Sequence, residues 1–319
     1  LPNGVSSDVD ADRDGVKDGD ISNGASFSLA TGSSSTGINP SSIKDSSGKS
    51  VGSALGGMGE KETETVTGLS VTATGNEKIV TASMGIAGAG AASGTGAVAA
   101  DVISSTTEAS IGKGAQINQT GAVNGNSDVR VRAADNSFVV MVAGTVAGAG
   151  IAGISGSANT AVIAKNTHAT IGDADIKAGD VIVAAATRED AYIIDANVSF
   201  GGAAGIGAAA GVAVVTNDTQ AGIAAGATLD ASGGIAVKAE QDTSLDIYSV
   251  AASAGLAGAA GAFSVGVIDN TTKAWVEDGT AVKAAVLDAG GATQVSARSS
   301  EKITSGTVSA AGGGVGVAG

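Results

Sequence analysis

An acidic segment near the start of the chain has the residue types and spacing of a loop that binds a metal ion. Carboxylates at alternate positions place oxygens around a hard cation, and a glycine at the sixth position permits the sharp turn that such loops need. Here that glycine is Gly15. The segment therefore predicts a calcium loop whose oxygens come from Asp10, Asp12, Asp14, the Val16 carbonyl and Asp18, with Asp20 as a further ligand.

The segment is not an EF-hand. Ile21 stands at the twelfth position, where an EF-hand has a bidentate Glu, and no amphipathic helices flank the loop. It resembles instead the Asp-rich loops of thrombospondin type 3 and dockerin-like repeats. The alternative interpretation is a solvated acidic linker that binds no metal.

Most of the remaining chain is one unit copied several times. The pattern Val-x-Ala recurs with spacings of 60, 52, 54 and 58 residues, and a second pattern, Thr-x-Ala, recurs with spacings of 60, 52 and 53 residues. Such units stack, because one copy cannot bury its apolar face alone. The marker residues are Val71, Val131, Val183, Val237 and Val295, and Thr107, Thr167, Thr219 and Thr272.

These repeats predict an all-β fold, a parallel β-helix or β-solenoid, with the marker valines stacked in one inward column. We divide the chain into residues 1–64, an acidic calcium loop followed by a Ser/Gly-rich linker or small module with a strand near residues 25–30, and residues 65–319, the solenoid. The copies cover approximately residues 65–125, 126–177, 178–231, 232–289 and 290–319. The spacing leaves open whether one copy forms one large coil or about three short ones.

Each copy predicts a short strand with the valine marker, a polar turn, a long uncharged stretch and a second turn at the Asn-Thr motif. In the third copy these are the turn at residues 187–190, the stretch at residues 196–217 and the turn at residues 217–219. The equivalent second turns are at residues 166–167 and 270–272. Glycine and Asp at residues 172–173 and 179–180 predict the joints between copies.

Residues 192–216 sort with period two, with larger apolar residues at even positions and small or polar ones at odd positions, which favours a strand. The rival interpretation is a transmembrane helix, because residues 247–268 and 136–164 carry no charge. Many interior glycines, the near absence of Leu and the lack of flanking aromatic belts argue against that helix.

Two sequence segments carry a family resemblance. They are Val-Gly-Val-Ile-Asp-Asn-Thr-Thr-Lys-Ala-Trp-Val at residues 265–276, and Val-Ile-Ala-Lys-Asn-Thr-His-Ala-Thr-Ile at residues 162–171. With the Ala/Gly stretches before them, they resemble the repeats of giant bacterial filamentous surface adhesins and of fusobacterial leukotoxin-like secreted proteins. The resemblance covers about residues 65–319. It implies a parallel β-helix on the cell exterior, and it brings no catalytic residues with it.

Composition narrows the possible functions. The net charge is −14 and no basic patch interrupts it, which argues against binding to nucleic acid or to an anionic membrane surface. The chain has no Cys, so disulfides and thiolate chemistry are excluded. Aromatic residues are only 2% and there are 51 Gly, so the apolar content is mostly Ala, Val and Ile, which suits closely spaced sheets.

Single residues that could take part in catalysis or ligand binding occupy variable positions of the repeat. His168 stands where other copies have Glu108, Gln220 and Lys273, so it predicts a solvated face rather than catalysis. Trp275 is expected to point outward, and Arg130 and Arg132 to point away from the core. Gly-Ala-Gly runs lack the Lys-Ser/Thr of a phosphate loop, and the acidic residues Asp173, Asp175, Asp180, Glu189 and Asp190 form no repeated set.

The first functional hypothesis is a non-enzymatic structural or adhesive segment of an extracellular bacterial fibre, stiffened by calcium. Its expected partners are further copies of the same chain, joined head to tail at the open strand edges, and a receptor on a host or neighbouring cell. Membrane insertion is not expected. The alternatives are a segment of a secreted leukotoxin-like protein that acts on host membranes, and a β-helix enzyme acting on polysaccharides, which would need carboxylates clustered on one outer face.

The acidic loop yields a direct prediction. Calcium added to the whole chain should bind at the acidic loop, because its clustered carboxylates repel one another without a cation. Titration calorimetry should record the heat that this binding releases. The double variant Asp12→Ala with Asp14→Ala should lose that heat, and Asp288→Ala, outside the loop, should keep it. A parent chain that takes up no calcium would leave the loop as a solvated linker.

Overall fold

The computed structural model describes the backbone of residues 26–29 and 62–65 and the full residues 68–120, 127–279 and 284–319. Within these ranges the regular structure is all β-strand. The first two strands, β1 (Ser26–Leu29) and β2 (Glu62–Thr65), pair antiparallel, which confirms the strand expected near residues 25–30. The predicted calcium loop at residues 10–20 lies outside the described residues.

All other strands belong to three parallel sheets. The front sheet contains β3 (Gly68–Ala89), β6 (Asp128–Ala149), β9 (Val181–Gly201), β12 (Ile235–Ala254) and β15 (Thr293–Gly312). The back sheet contains β4 (Ala92–Ile111), β7 (Ala152–Ile171), β10 (Ala204–Ile223), β13 (Ala257–Val276) and β16 (Val315–Ala318). The short sheet contains β5 (Gln116–Ile117), β8 (Asp175–Ala178), β11 (Thr228–Ala231) and β14 (Val286–Ala289).

The chain is a parallel β-solenoid in which one copy of the repeat forms one coil. It runs along a front strand, reverses at a turn that we call the tip, returns along a back strand, and reaches the next coil through a short strand. A strand of 20 residues spans about 66 Å, whereas neighbouring coils are only about 4.8 Å apart. The coil is therefore wide and flat. Each copy of the repeat forms one large coil and not about three short ones.

The marker residues stack in register, as predicted. Val131 pairs with Val71 and Val183, and Val237 pairs with Val183 and Val295. The threonine marker does the same through all four copies. Side chains alternate across a strand, so equal register puts equivalent residues on the same side of the sheet. Val131, Val183 and Val237 are fully buried, while Val295 on the last front strand is 46% exposed.

The space between the front and back sheets contains two separate apolar clusters. The first joins the marker valines to alanines and to isoleucines of the short sheet, such as Ile176. The second lies farther toward the tip and includes Met141, Ile163, Ile193 and Leu245. Burial of these side chains supplies the main apolar contribution to stability. Between the two clusters the interior is polar.

The tip turns contain glycine at positions where a side chain would overlap the backbone of the preceding coil. A Cβ added at Gly150 would overlap the carbonyl oxygen of Gly90 in the preceding coil, and one at Gly202 would overlap the carbonyl oxygen of Gly150. The backbones of successive tip turns are therefore too close for a side chain at this position. The Gly-Ala-Gly run at residues 88–90 ends a strand at such a tip.

The predictions of the polar turn and of the Asn-Thr turns are wrong. Residues 187–190 lie inside β9, and the Asn-Thr motifs at residues 166–167, 217–219 and 270–272 lie inside β7, β10 and β13. Polar residues appear there because alternate ones meet inside the coil and the others face outward. The real reversals of each coil are the tip turns and the joints, and the expected joints at residues 172–173 and 179–180 do connect consecutive strands.

The helical alternative is also wrong. Residues 247–268 belong to β12 and β13, and residues 136–164 belong to β6 and β7. In the part of the chain that the structure describes, there is no helix with the length and apolar character needed to cross a membrane.

Candidate functional site

The polar region between the two apolar clusters contains a buried lysine with three carboxylates. We call Lys165, Asp135, Glu77 and Glu189 the inner charge cluster. Lys165 projects from β7 of the back sheet, and its ammonium forms ion pairs with Asp135 on β6, Glu77 on β3 and Glu189 on β9, all in the front sheet. The side chains of Lys165, Asp135 and Glu189 are fully buried. The cluster thus joins the two sheets and three neighbouring coils.

Register explains how these residues meet. Glu77 and Glu189 belong to one column of the front sheet, with Ser137 between them. Asp135 belongs to the neighbouring column, where Gly75 stands in the preceding coil. A Cβ at Gly75 would lie 2.6 Å from Asp135 Oδ2, so the glycine leaves the space that this carboxylate occupies.

Asp135 is held by two hydroxyls as well as by Lys165. Ser105 Oγ donates to Asp135 Oδ2 at 3.0 Å, and Thr107 Oγ1 donates to the same oxygen at 2.7 Å. Lys165 donates to the other oxygen, Oδ1. Each carboxylate oxygen therefore has its own donors, which compensates the cost of burying the charge.

The inner charge cluster contains more acid than base. Burial raises the pKa of Glu189 to about 7, although Lys165 and a hydrogen bond from Ser137 act in the opposite direction. Burial likewise raises the pKa of Glu77. For Lys165 burial alone would lower the pKa, but Glu189 and Asp135 outweigh it and the pKa is raised. Near neutral pH Lys165 is therefore an ammonium, and Glu189 is close to the midpoint of its titration.

A second buried carboxylate lies beyond the second apolar cluster, toward the tip. Asp195 is fully buried, and neither of its carboxylate oxygens has a hydrogen-bond partner. Burial raises its pKa to about 7, although the nearby side-chain amide of Asn159 acts in the opposite direction. Near it, Asn197 donates to Thr145 Oγ1 of the same sheet at 2.6 Å. It also accepts from Ser155 Oγ of the back sheet at 2.7 Å, which links the two sheets.

Polar and aromatic side chains also collect on the outer face of the front sheet, where the sequence analysis expected a turn. Arg188 Nη2 lies 2.8 Å from Asp190 Oδ2. The ring centroid of Tyr192 lies 5.9 Å from that of Phe138 in the preceding coil, with the two rings tilted by 52°. In the next coil, Asp242 is the register partner of Arg188 and Asp246 that of Tyr192. Burial raises the pKa of Asp190, and the nearby carboxylates of Asp242 and Asp246 add to the effect. We call this set the outer acidic patch.

Toward the tip, both outer faces of the solenoid are apolar. On the front sheet the outward residues include Met84, Val146 and Phe200, and on the back sheet Val98, Ile154 and Ile206, all of them exposed. The larger residues at even positions of 192–216 thus face outward, while the smaller and polar ones face the interior. A shallow groove of about 450 Å³ crosses the back sheet between Val98 and Phe263, where the intervening coils have alanine.

The remaining predicted residues occupy outer positions. His168 Nε2 lies 3.3 Å from Asp218 Oδ2 of the next coil, and both side chains are about one-third exposed. Arg130 and Arg132 lie on the face of β6 opposite Val131, but Arg132 is only 4% exposed, so that face is not solvated there. Trp275 lies over Gly222 of the preceding coil, because a Cβ at Gly222 would overlap the indole ring.

Among the described residues, no group of three or more His, Asp or Glu side chains has a metal-binding arrangement. The inner charge cluster was not predicted from the sequence. Its only signal was that Lys165 and Asp135 are charged where the neighbouring copies have Ser105 and Asn217, and Gly75 and Thr187. The chain matches no protein-family model, and no curated protein or solved structure is significantly similar to it.

The unpartnered carboxylate of Asp195 predicts a dependence of stability on pH. Its pKa is raised from 3.8 to about 7, so the folded chain keeps a proton that the unfolded chain releases. The contribution of Asp195 is therefore most favourable below its unfolded pKa and is lost as the pH rises toward 7. Asp195→Asn should stabilise the chain above that pH by on the order of 2–4 kcal/mol and by much less at pH 4.

Urea unfolding of both chains across this pH range measures the difference. Asp288→Asn, at an exposed position, is the matched control and should show no such trend. An Asp195→Asn variant that is less stable than the parent at every pH would contradict the prediction.

The position of Trp275 predicts the effect of a single methyl group. Gly222→Ala should displace the indole, and because Trp275 is the only tryptophan, intrinsic fluorescence should shift to longer wavelength as the ring enters water. Gly156→Ala, on the outer face of the same sheet with its nearest atom 3.9 Å away, should leave the spectrum unchanged. Equal spectra for both variants would place the indole away from Gly222.

Proposed function

We propose that this chain is a non-enzymatic structural and adhesive segment of an extracellular bacterial surface fibre. The observation that carries the proposal is the common register of the stacked coils, because a solenoid of this kind lengthens by adding a coil without changing those already present. Within the inner charge cluster the side chains of Lys165, Asp135 and Glu189 are fully buried, so these groups contact one another rather than a substrate.

The last front strand shows where another coil would fit. β15 pairs with β12 on one side, and it is the end strand of its sheet. Its inward residues Val295 and Ile303 are 46% and 47% exposed. A further coil, either from the same polypeptide or from the first coil of another copy, would pair with the free backbone groups of this strand and cover both side chains. Such a head-to-tail contact propagates as a filament.

The adhesive part of the proposal is supported by the outer faces near the tip. Contiguous exposed apolar surface of this kind marks interaction sites in soluble proteins. Fibre segments that repeat the same surface in every coil can bind a partner at several places at once. Calcium bound at residues 10–20 would stiffen the segment that precedes the solenoid.

Two alternatives each have one observation in their favour. The uncharged outer faces near the tip favour action on host membranes, and leakage of dye-loaded liposomes would support it. The outer acidic patch has carboxylates, an arginine and a tyrosine on one face, the kind of set that a polysaccharide-active enzyme requires. Turnover of a polysaccharide that is lost in Asp190→Asn but kept in Asp288→Asn would favour the enzyme.

The proposed fibre predicts self-association through β15. The purified chain should form elongated particles in electron micrographs, and their mass in light scattering should increase with concentration. The double variant Val295→Lys with Ile303→Lys should remain monomeric, because an added coil would bury two unpaired charges.

The matched control is Val98→Lys with Val102→Lys, which changes exposed residues on an outer face of β4. It should assemble like the parent. Loss of assembly in the control alone would assign the contact to the outer faces, and a parent chain that stays monomeric at high concentration would contradict head-to-tail assembly.

A further inference from the structure

We propose that the inner charge cluster forms a covalent cross-link: an amide bond between Lys165 Nζ and Asp135 Cγ, promoted by Glu189. The bond would join β7 to β6 and so connect the back sheet to the front sheet within one coil. It goes beyond the proposed function, because it concerns chemistry inside the coil and does not depend on what the fibre binds.

The reacting groups are already in contact and shielded from water. Lys165 Nζ is paired with Asp135 Oδ1, and both side chains are fully buried. The two residues are 30 positions apart in sequence, but they face each other across the interior. Holding an amine against a carboxyl group in this way replaces an encounter in solution by a reaction between fixed partners, which gives a large rate advantage.

The surroundings of Asp135 distinguish its two oxygens. Ser105 and Thr107 both donate to Oδ2, at 3.0 and 2.7 Å. These hydroxyls would stabilise the negative charge that develops on Oδ2 when nitrogen adds to Cγ. Oδ1, on the side of Lys165, is then the oxygen that leaves.

The reaction is a condensation without any external reagent. A proton first moves from the Lys165 ammonium to the carboxyl cluster, which leaves a neutral amine and protonated Oδ1. The nitrogen lone pair forms the N–C bond while the C–Oδ2 π electrons move onto Oδ2. A second proton leaves nitrogen through Glu189 and reaches Oδ1. The C–Oδ2 double bond then re-forms, the Cγ–Oδ1 bond breaks, and Oδ1 departs as water. One C–N bond replaces one C–O bond, and nothing is oxidised or reduced.

Glu189 is placed to carry these protons. Its Oε1 lies 3.4 Å from Lys165 Nζ, and its Oε2 accepts a hydrogen bond from Ser137. Because its pKa is about 7, it both accepts and donates protons near neutral pH. The raised pKa of Lys165 makes the ammonium the resting form, so the condensation should be slow and should be observable as a time course.

The cross-link also removes an electrostatic cost. Before reaction, one ammonium faces three carboxyl groups in an enclosed space, and such charges are expensive to bury. After reaction the ammonium and one carboxylate are replaced by a neutral amide. Among the described coils only this one pairs Lys with Asp, since the register partners of Lys165 are Ser105 and Asn217 and those of Asp135 are Gly75 and Thr187.

Mass spectrometry of the purified whole chain tests the proposal. The intact mass should be lower than that of the sequence by one water molecule. Trypsin should fail to cleave after Lys165, so that residues 133–177 appear as one peptide lighter by one water, in place of the peptides 133–165 and 166–177. Asp135→Asn should still form the bond but lose ammonia instead of water. Glu189→Gln should slow the loss, and Lys165→Met should abolish it.

The matched control Lys302→Met changes an exposed lysine and should keep the water loss. The parent chain decides the result even if a variant fails to fold. An unmodified intact mass after prolonged incubation at neutral pH, with normal cleavage after Lys165, would overturn the proposal. So would a water loss with Lys165 still cleavable, which indicates a succinimide at an aspartate, or fragments that place the bond at Glu77.

Discussion

Parallel backbone pairing between successive coils is the constraint on which the rest of this structure depends. Each long strand hydrogen-bonds to the equivalent strand of the next copy with no shift over about twenty residues. Any side chain is therefore surrounded by its own counterparts in neighbouring copies. A valine column is self-consistent because valine packs well on valine. A charged residue in such a column is tolerated only where its counterparts differ.

That constraint explains the composition of the interior. The columns nearest the short sheet and the columns through Ile163 are apolar in most copies, and they form the two clusters that supply hydrophobic burial. The columns between them are threonine, asparagine, glutamine and serine, which bond to one another across the sheets, as Thr272 does with Gln241 at 2.8 Å. Lys165 is accommodated because three carboxylates surround it. Asp195 has no cation beside it in the described interior, and burial raises its pKa to about 7.

In the half of the solenoid near the tip, the inner and outer faces of the sheets have the opposite arrangement to those of an ordinary soluble sheet. There the interior holds Asp195, Asn197 and Ser155, while isoleucine, valine and phenylalanine point outward. If the stability of the fold were the only constraint, these apolar residues would be expected in the interior. Their exposure, in coil after coil, makes these faces the candidate interaction surface of the proposed function.

The amino-acid sequence alone determined the fold class and the residues that stack. Two markers with nearly equal spacing predict a β-solenoid, and Val131, Val183 and Val237 occupy one buried column as expected, because repetition of sequence forces repetition of environment. The spacing of Asp10, Asp12 and Asp14 predicts a calcium loop, a prediction that stays open. Residues per coil, the tip turns and the direction of each face were decided by the tertiary structure. Charged residues in the middle of strands were predicted to form turns. The alternation of side chains along a strand does not tell which face is inside when both faces carry small residues. The inner charge cluster is the clearest case: Glu77, Asp135, Lys165 and Glu189 come from three coils and two sheets, and only closure of the wide coil brings them together.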